Sequence, residues 1–241
     1  MKVELIPALK DNYVYLLYEK IGGPATVIDP SEANPVLEKL DELSLSLNKI
    51  LNTHHHFDHI GGNEELVKKT GAHVYCSTYD LNRIPEAQSG LKDGDHIDLL
   101  GESANILEIP GHTMGHIAFW LAKSKLIFCG DTLFSLGCGR VFEGSLELLW
   151  KSLHHLAALP EDTMVYCGHE YTEANLKFVK SLGDESVELS TFEVDLAAKR
   201  NLGRPSLPSS IKTEKTLNPF LRAKNLADFS RLRIQKDSFG A

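Results

Sequence analysis

The sequence predicts a mixed α/β domain reaching about residue 170, followed by a small helical appendage. Three observations predict it. Short apolar segments bounded by Gly, Pro, Asn or Asp alternate with helical patterns up to Gly168, as in sheets with helices packed on their outer faces. Beyond Gly168 the helical patterns continue and no convincing strand follows. Four of the apolar segments end on His or Asp, which gathers the residues capable of chemistry at strand ends.

The strand candidates, in chain order, are VELIPAL, YVYLLYE, ATVID, KILN, HVYCS, NILEIP, IAFWLA, KLIFCG and MVYCG, most of them rich in β-branched and aromatic residues. One helix is expected from Asn34 to Leu43, after the turn chemistry of DPSEANP. Another runs from Gly62 to Lys69 and is closed by Gly71. A third lies in SLELLWKSLHHLAALP, where Leu146, Leu149, Trp150, Leu153, Leu156 and Ala157 form one stripe ahead of Pro160. In the appendage, EANLKFVKSLG and TFEVDLAAKRNLG read as helices and NLADFSRLRIQKDSF as a final one, with RPSLPSSIKTEKTLNPF as a polar connection holding three prolines. The expected domains are residues 1–170 and 171–241.

A chain of 241 residues can bury a core that needs no staples, and 42% hydrophobic with 24% charged residues is the balance of a globular protein. The formal charge of -8 argues against general attraction to nucleic acid or anionic membrane, while leaving room for a local basic pocket and a small anionic ligand. Cys76, Cys129, Cys138 and Cys167 are too scattered for a disulfide scaffold and form no CxxC pair, so reduced thiols are expected. The start MKVELIPALKDNY lacks the apolar core of a secretory signal, and no run approaches the roughly 18 apolar residues of a membrane helix. A cytoplasmic monomer is expected, with neither nucleic acid nor membrane as a partner.

THHHFDH, Thr53 to His59, holds four of the chain's 11 histidines. An HxH spacing brings two imidazoles to one side only on an extended or looped backbone, so the segment reads as a loop at the end of the strand KILN. His54 and His56 then converge on one point while Asp58 and His59 turn toward another. Three more strand ends carry a candidate ligand directly after a Gly that permits a sharp turn: His112 in EIPGHTMGH, Asp131 in IFCGD and His169 in VYCGH. Imidazole and carboxylate are donors that zinc or iron accepts. The bland reading of the first window is a solvated His-rich loop; four such strand ends together outweigh it. Five His and two Asp exceed one four-coordinate ion, but divide into two four-ligand groups if one carboxylate bridges. Two ions about 3.5 Å apart would hold and acidify a water and polarise a carbonyl or phosphoryl oxygen, so hydrolysis is the expected reaction class.

THxHxDH followed by GHTxGH, CGDTLF and CGHEY resembles the metallo-β-lactamase superfamily. Within it, DTLF, GCGR, FEG, GHEYT, NPFLR and the terminal KDSF are similar to the hydroxyacylglutathione hydrolases, the glyoxalase II family, and the likeness runs from PALKDNYVY to LRIQKDSF. The resemblance implies a four-layer αββα sandwich with the metals at one edge between the two sheets, then a helical substrate domain. It implies a first ion held by His54, His56, His112 and Asp131, and a second by Asp58, His59 and His169 with Asp131 bridging. Asp58 and Asp131 are then the catalytic carboxylates, and the cofactor is two divalent ions per chain, zinc first, with iron or manganese accepted. His55 is not a ligand in this pattern, and His116 lies near the ligands in an outer or structural role. His73, His96, His154 and His155 have no metal spacing and read as surface or packing residues.

The resemblance further implies cleavage of S-D-lactoylglutathione and related 2-hydroxyacylglutathiones to glutathione and D-lactate, the second step of methylglyoxal detoxification. A thiolate whose conjugate acid has a pKa of about 8.5 leaves without prior protonation, so such a site needs a nucleophile and an electrophile more than a dedicated acid. Arg140, Phe142, Tyr171, Arg233 and Lys236 match the substrate positions, and Arg233 and Lys236, three apart, share a helix face. Arg140 stands where the family commonly has Lys, a planar fork in place of a point donor. Phe142 stands where many members have Tyr, which removes one hydroxyl. The rivals are a glutathione persulfide dioxygenase with a single iron, a lactonase or β-lactamase, a noncatalytic scaffold, and a nuclease. Seven filled ligand positions and the basic pair of the tail favour the thioesterase.

Overall fold

The computed structural model describes residues 1–239. Apolar runs draw β1 (Lys2–Ala8), β2 (Asn12–Tyr18) and β3 (Pro24–Ile28) into an antiparallel meander. The same sheet continues in parallel through β4 (Ser46–Leu51), β5 (His73–Ser77) and β6 (Ser89–Leu91). Parallel neighbours need crossovers, and α1 (Ala33–Glu42) and α3 (Asn63–Thr70) supply the first two. The four-residue α2 (Phe57–Ile60) lies between β4 and α3.

Strand β2 is buried along its whole length, as a central strand covered on both faces must be. On one face Val14, Leu16 and Tyr18 join Val36 and Leu40 of α1 and Leu66 of α3 in a single core. On the other, the Tyr15 ring lies 5.3 Å from that of Phe128. Phe128 belongs to a second, antiparallel set, β7 (His96–Leu99), β8 (Glu102–Glu108), β9 (Ile117–Leu121) and β10 (Leu126–Gly130). These elements make one unit of the chain, Met1–Glu108 with Gly115–Gly130, layered as helices, sheet and sheet.

The other unit comprises Ile109–Met114 and the chain from Asp131 onward. It holds the hairpin β11 (Leu133–Phe134) and β12 (Gly137–Cys138), then α4 (Leu146–Ala157), β13 (Met164–Cys167), α5 (Thr172–Ser181) and α6 (Val187–Asn201). It ends with β14 (Ser209–Ser210), α7 (Ile211–Leu217) and α8 (Leu226–Asp237). Leu136, Leu176, Val179, Leu189, Leu196 and Leu217 form its helical core. Helix α4 starts on Ser145, whose Oγ accepts the Leu148 N–H, and its Leu149, Leu153 and Leu156 are buried as the stripe predicts.

Two expectations are corrected. THHHFDH is a loop only to His56, after which Phe57 to Ile60 close one helical turn. RPSLPSSIKTEKTLNPF is more than a connection. Ser209 and Ser210 pair with Val165 and Met164 of β13, and Ile211 to Leu217 form α7, whose first turn is capped by Ser210. That helix buries Ile211, Leu217 and the carboxyl of Glu214, a pattern too polar to show as an amphipathic stripe. Among the described residues no helix is long and apolar enough to cross a membrane, and the four cysteines are buried and not joined in disulfides.

Candidate metal centre

The seven candidate ligands fall into two sets, four in the first unit and three in the second. The first set follows β4, at the carboxyl end of a parallel strand, where open α/β sheets place their ligands. Asn52 N–H still donates to Tyr75 O across the sheet, at 2.9 Å. The chain then leaves the ladder at Thr53, and Asp29, at the end of β3, receives it. Asp29 accepts from Thr53 N at 2.7 Å and from Thr53 Oγ1 at 2.6 Å, and its Oδ2 lies 3.0 Å from His59 Nδ1. Asp29 itself is held at a φ of 50°, a left-handed position that Asp tolerates better than most residues.

That network fixes the protons of the buried imidazoles. Thr53 spends its only hydrogen on Asp29, so at 3.1 Å from His54 Nδ1 it acts as acceptor, and Nδ1 carries the proton. The carboxylate of Asp29 does the same for His59 Nδ1. In their neutral form both rings then present the Nε2 lone pair, which is the condition for binding a metal. Their centroids are 4.2 Å apart, with His56 4.6 Å from His54. Asp29 also lies within 4.8 Å of His54 and His59 as a possible third donor, but its oxygens already serve Thr53 and His59, so it acts as their support. Asn12 Nδ2 donates to the carbonyl oxygen of Asp58 at 2.9 Å and to its Oδ2 at 3.0 Å, orienting that carboxylate.

The second set shows the same logic. His112 Nδ1 donates to the carbonyl of Arg140 at 2.8 Å, which leaves its Nε2 lone pair turned to Asp131 Oδ2 at 3.5 Å. His169 Nε2 lies 3.2 Å from the same oxygen. A neutral Nε2 facing a carboxylate calls for a cation between them, a proton or a metal ion. Two donors on a four-coordinate ion with bonds of about 2.0–2.1 Å stand about 3.3–3.4 Å apart, so the spacing fits a shared metal. All three residues are buried. Gly111 has a φ of 147° and Gly130, just before Asp131, a φ of 45°, as the expected sharp turns require. Gly139 answers a different need: a Cβ there would fall on the carbonyl oxygen of Asp131.

His55 is not directed with its neighbours. Its Nε2 meets Arg83 Nη2 at 2.6 Å and its Nδ1 faces the buried Asp80 at 3.5 Å. His116 is buried and stacked on His54, centroids 4.6 Å apart, so it supports a ligand ring. Asn12, Asp29, Asp80 and Arg83 were not singled out from the sequence. Only Asp29 had a local signal, its place at the end of the strand ATVID.

The substrate candidates all lie in the second unit. Tyr171 stacks on His169, centroids 4.7 Å apart at 5°, and meets Phe134 edge-on. Phe142 is 62% exposed and sets its ring edge-on to His112 at 5.2 Å. Arg140 is exposed, with Nε 3.2 Å from Asp237 Oδ1. Arg233, by contrast, is only 5% exposed: Nη1 donates to Cys138 O at 2.7 Å, Nη2 to Asp237 at 2.9 Å, and the guanidinium covers Phe220. Lys236 lies over Phe178 and Phe239, and burial, then the charge of Arg233, lowers its pKa below the ordinary lysine value.

Residues 9–169 match the metallo-beta-lactamase superfamily and residues 170–239 match the hydroxyacylglutathione hydrolase C-terminus. The hydroxyacylglutathione hydrolase of Methylococcus capsulatus is 47% identical over 97% of this chain and 91% of its own length. The chain belongs to the hydroxyacylglutathione hydrolase family. Among solved structures, ETHE1 from Myxococcus xanthus is similar with a TM-score of 0.75 at 26% identity, over 100% of this chain and 92% of its own. TTHA1623 in a di-iron-bound form is similar with a TM-score of 0.59 at 30% identity, over 70% of this chain and 92% of its own. The expected metallo-β-lactamase fold, with mixed sheets and helices and a small C-terminal helical domain, is the fold of this family.

Proposed function

We propose that the chain hydrolyses the thioester of S-D-lactoylglutathione and related 2-hydroxyacylglutathiones, releasing glutathione and D-lactate, as a cytoplasmic monomer. The observation that carries this reading is the pairing of clustered His and Asp donors with a C-terminal segment that matches the hydroxyacylglutathione hydrolase C-terminus. We take residues 1–170 as the catalytic domain and 171–241 as the substrate domain. His54, His56, His112 and Asp131 would hold one divalent ion, and Asp58, His59 and His169 a second, with Asp131 available to both. The donor chemistry fits zinc, iron or manganese, zinc first, and a di-iron relative supports the count of two. When bound, two such ions supply an acidified water and a Lewis-acid contact for the carbonyl oxygen.

The chain's own residues do the rest. Asp29 and Thr53 hold the protons of His59 and His54 on Nδ1, so both rings are fixed in direction, with Nε2 as the atom left to a metal. Asn12 keeps one oxygen of Asp58 occupied and the carboxylate oriented. Tyr171 offers a hydroxyl beside His169, while Phe142 offers only an apolar edge beside His112. Arg140, Arg233 and Lys236 form a basic cradle for the carboxylates of the tripeptide. The leaving thiolate departs without a proton donor, because a thiol of ordinary acidity, pKa about 8.5, is a competent leaving group.

The test is turnover of S-D-lactoylglutathione by the purified chain, followed through loss of the thioester absorbance, with bound metal quantified on the same sample. Rapid hydrolysis with two ions per chain is expected. A single iron together with oxygen-dependent persulfide oxidation would replace this reading with that of the dioxygenase.

A further inference from the structure

The basic cradle is not bare. Asp237 Oδ1 lies 2.9 Å from Arg233 Nη2 and 3.2 Å from Arg140 Nε, so one carboxylate oxygen spans two guanidinium groups that the substrate would use. Arg233 offers little else. Its Nη1 is taken by the carbonyl oxygens of Cys138 and Gly139 at 2.7 and 3.4 Å, and its Nε is buried. Nη2 is then the nitrogen turned to a half-exposed neighbour, and that neighbour is Asp237. Lys236 is held apart, its Nζ over the rings of Phe178 and Phe239 and 3.4 Å from the carbonyl oxygen of Ala174.

We propose that Asp237 is the resident counter-ion of the cradle: it occupies the place of a substrate carboxylate between Arg140 and Arg233 and is displaced when the carboxylate of the thiol carrier binds. The inference rests on the reading of Arg140, Arg233 and Lys236 as the substrate cradle and adds to it the residue that sets its affinity. Two guanidinium groups close to one another repel when no anion is near, so an internal carboxylate offsets their charge in the empty site. The same carboxylate competes with every incoming anion. A weakly held anion is outcompeted by Asp237, whereas a carboxylate anchored elsewhere in a bound tripeptide has the effective concentration to displace it. Asp237 is thus a specificity-determining residue: it discriminates against free carboxylates and inorganic anions in favour of a carrier fixed at a second point.

The experiment compares wild type with Asp237→Asn, which keeps the shape and one acceptor but removes the charge, in steady-state hydrolysis of S-D-lactoylglutathione. KM should fall roughly two- to fivefold, the range of a partly exposed ion pair, with kcat moving far less. Inhibition by free acetate should become stronger in the variant. Asp228→Asn, which removes a charge of the same helix where it pairs with Arg231, is the control and should leave KM within scatter. Asp237→Ala should move KM in the same direction, and guards against an Asn-specific contact. An unchanged or raised KM in both Asp237 variants overturns the proposal, because a carboxylate that merely positions the arginines would weaken binding when lost. Failure of the underlying reading looks different: if Arg233→Ala with Lys236→Ala also kept the wild-type KM, the cradle itself would be wrong.

Discussion

His54, His59 and His112 each commit one ring nitrogen to an oxygen of their own surroundings, and for His54 and His59 the receiving residues, Thr53 and Asp29, are buried with the rings. Arg140 and Arg233 are balanced differently, by the half-exposed carboxylate of Asp237. The contrast follows from what each region must hold. A metal that stays in place requires donors that are deprotonated, aimed and free of competing charge before it arrives, so neutral or fixed partners lock the tautomers from behind. A ligand that comes and goes requires charge that is satisfied in its absence and released in its presence. Rigid support serves the first and an exchangeable partner the second.

The largest test of this contrast is Asp131→Asn. A carboxamide is a far weaker metal donor than a carboxylate, so on the proposed ligand assignment metal content should drop and kcat should fall on the order of a thousandfold or more, as read by turnover together with metal analysis. Asp29→Ala asks whether support from behind matters as much as the ligands. Freed of their acceptor, His59 and the Thr53–His54 pair can change tautomer, and metal affinity should weaken about 10- to 100-fold in a chelator competition. Wild-type affinity would mean that the rings are aimed by packing alone. Arg233→Ala with Lys236→Ala probes the exchangeable region and should raise KM on the order of tenfold while leaving metal content unchanged, since neither side chain touches a ligand.

The smallest effect concerns Glu214, which lies outside both regions. Burial pushes its carboxyl from 4.5 up to about 7, against the pull of bonds from Ser209, Asn218 and the Leu136 N–H. Its folded pKa exceeds its unfolded one, so the folded state binds the proton more tightly, and stability falls as pH rises between those values. Glu214→Gln should flatten that slope between pH 5 and 8, raising Tm by several degrees at pH 8 relative to wild type in a thermal melt. An unchanged slope would mean that the bonds to Glu214 already match its charge.

The clustered His and Asp donors could be picked out because few residue types bind metals and because four recognisable strands lead into segments that carry them, so local pattern and chemistry agreed. What supports the ligands was not. Asp29 acts on Thr53 from 24 residues away and Asn12 on Asp58 from 46, and no local periodicity records such pairings. The basic pair of α8 shows the limit of helical spacing: it puts Arg233 and Lys236 on one face, but it does not say what covers that face. The carbonyl oxygens of Cys138 and Gly139 and the ring of Phe220 bury Arg233, and they come from distant segments. Helix α7 was missed for a related reason, since its buried positions include a carboxyl that Ser135, Ser209, Asn218 and a hairpin N–H make tolerable.

The buried cysteines bear on how such a chain coexists with its own product. A protein that releases a thiol at each turnover is bathed in the reagent that forms mixed disulfides. Exchange requires a thiolate within reach of solvent. Burial pushes the Cys76 thiol up to about 12 and the Cys138 thiol up to about 11, and Cys129 and Cys167 lie equally deep. The folded chain therefore keeps its four thiols buried, away from the oxidised glutathione in solution.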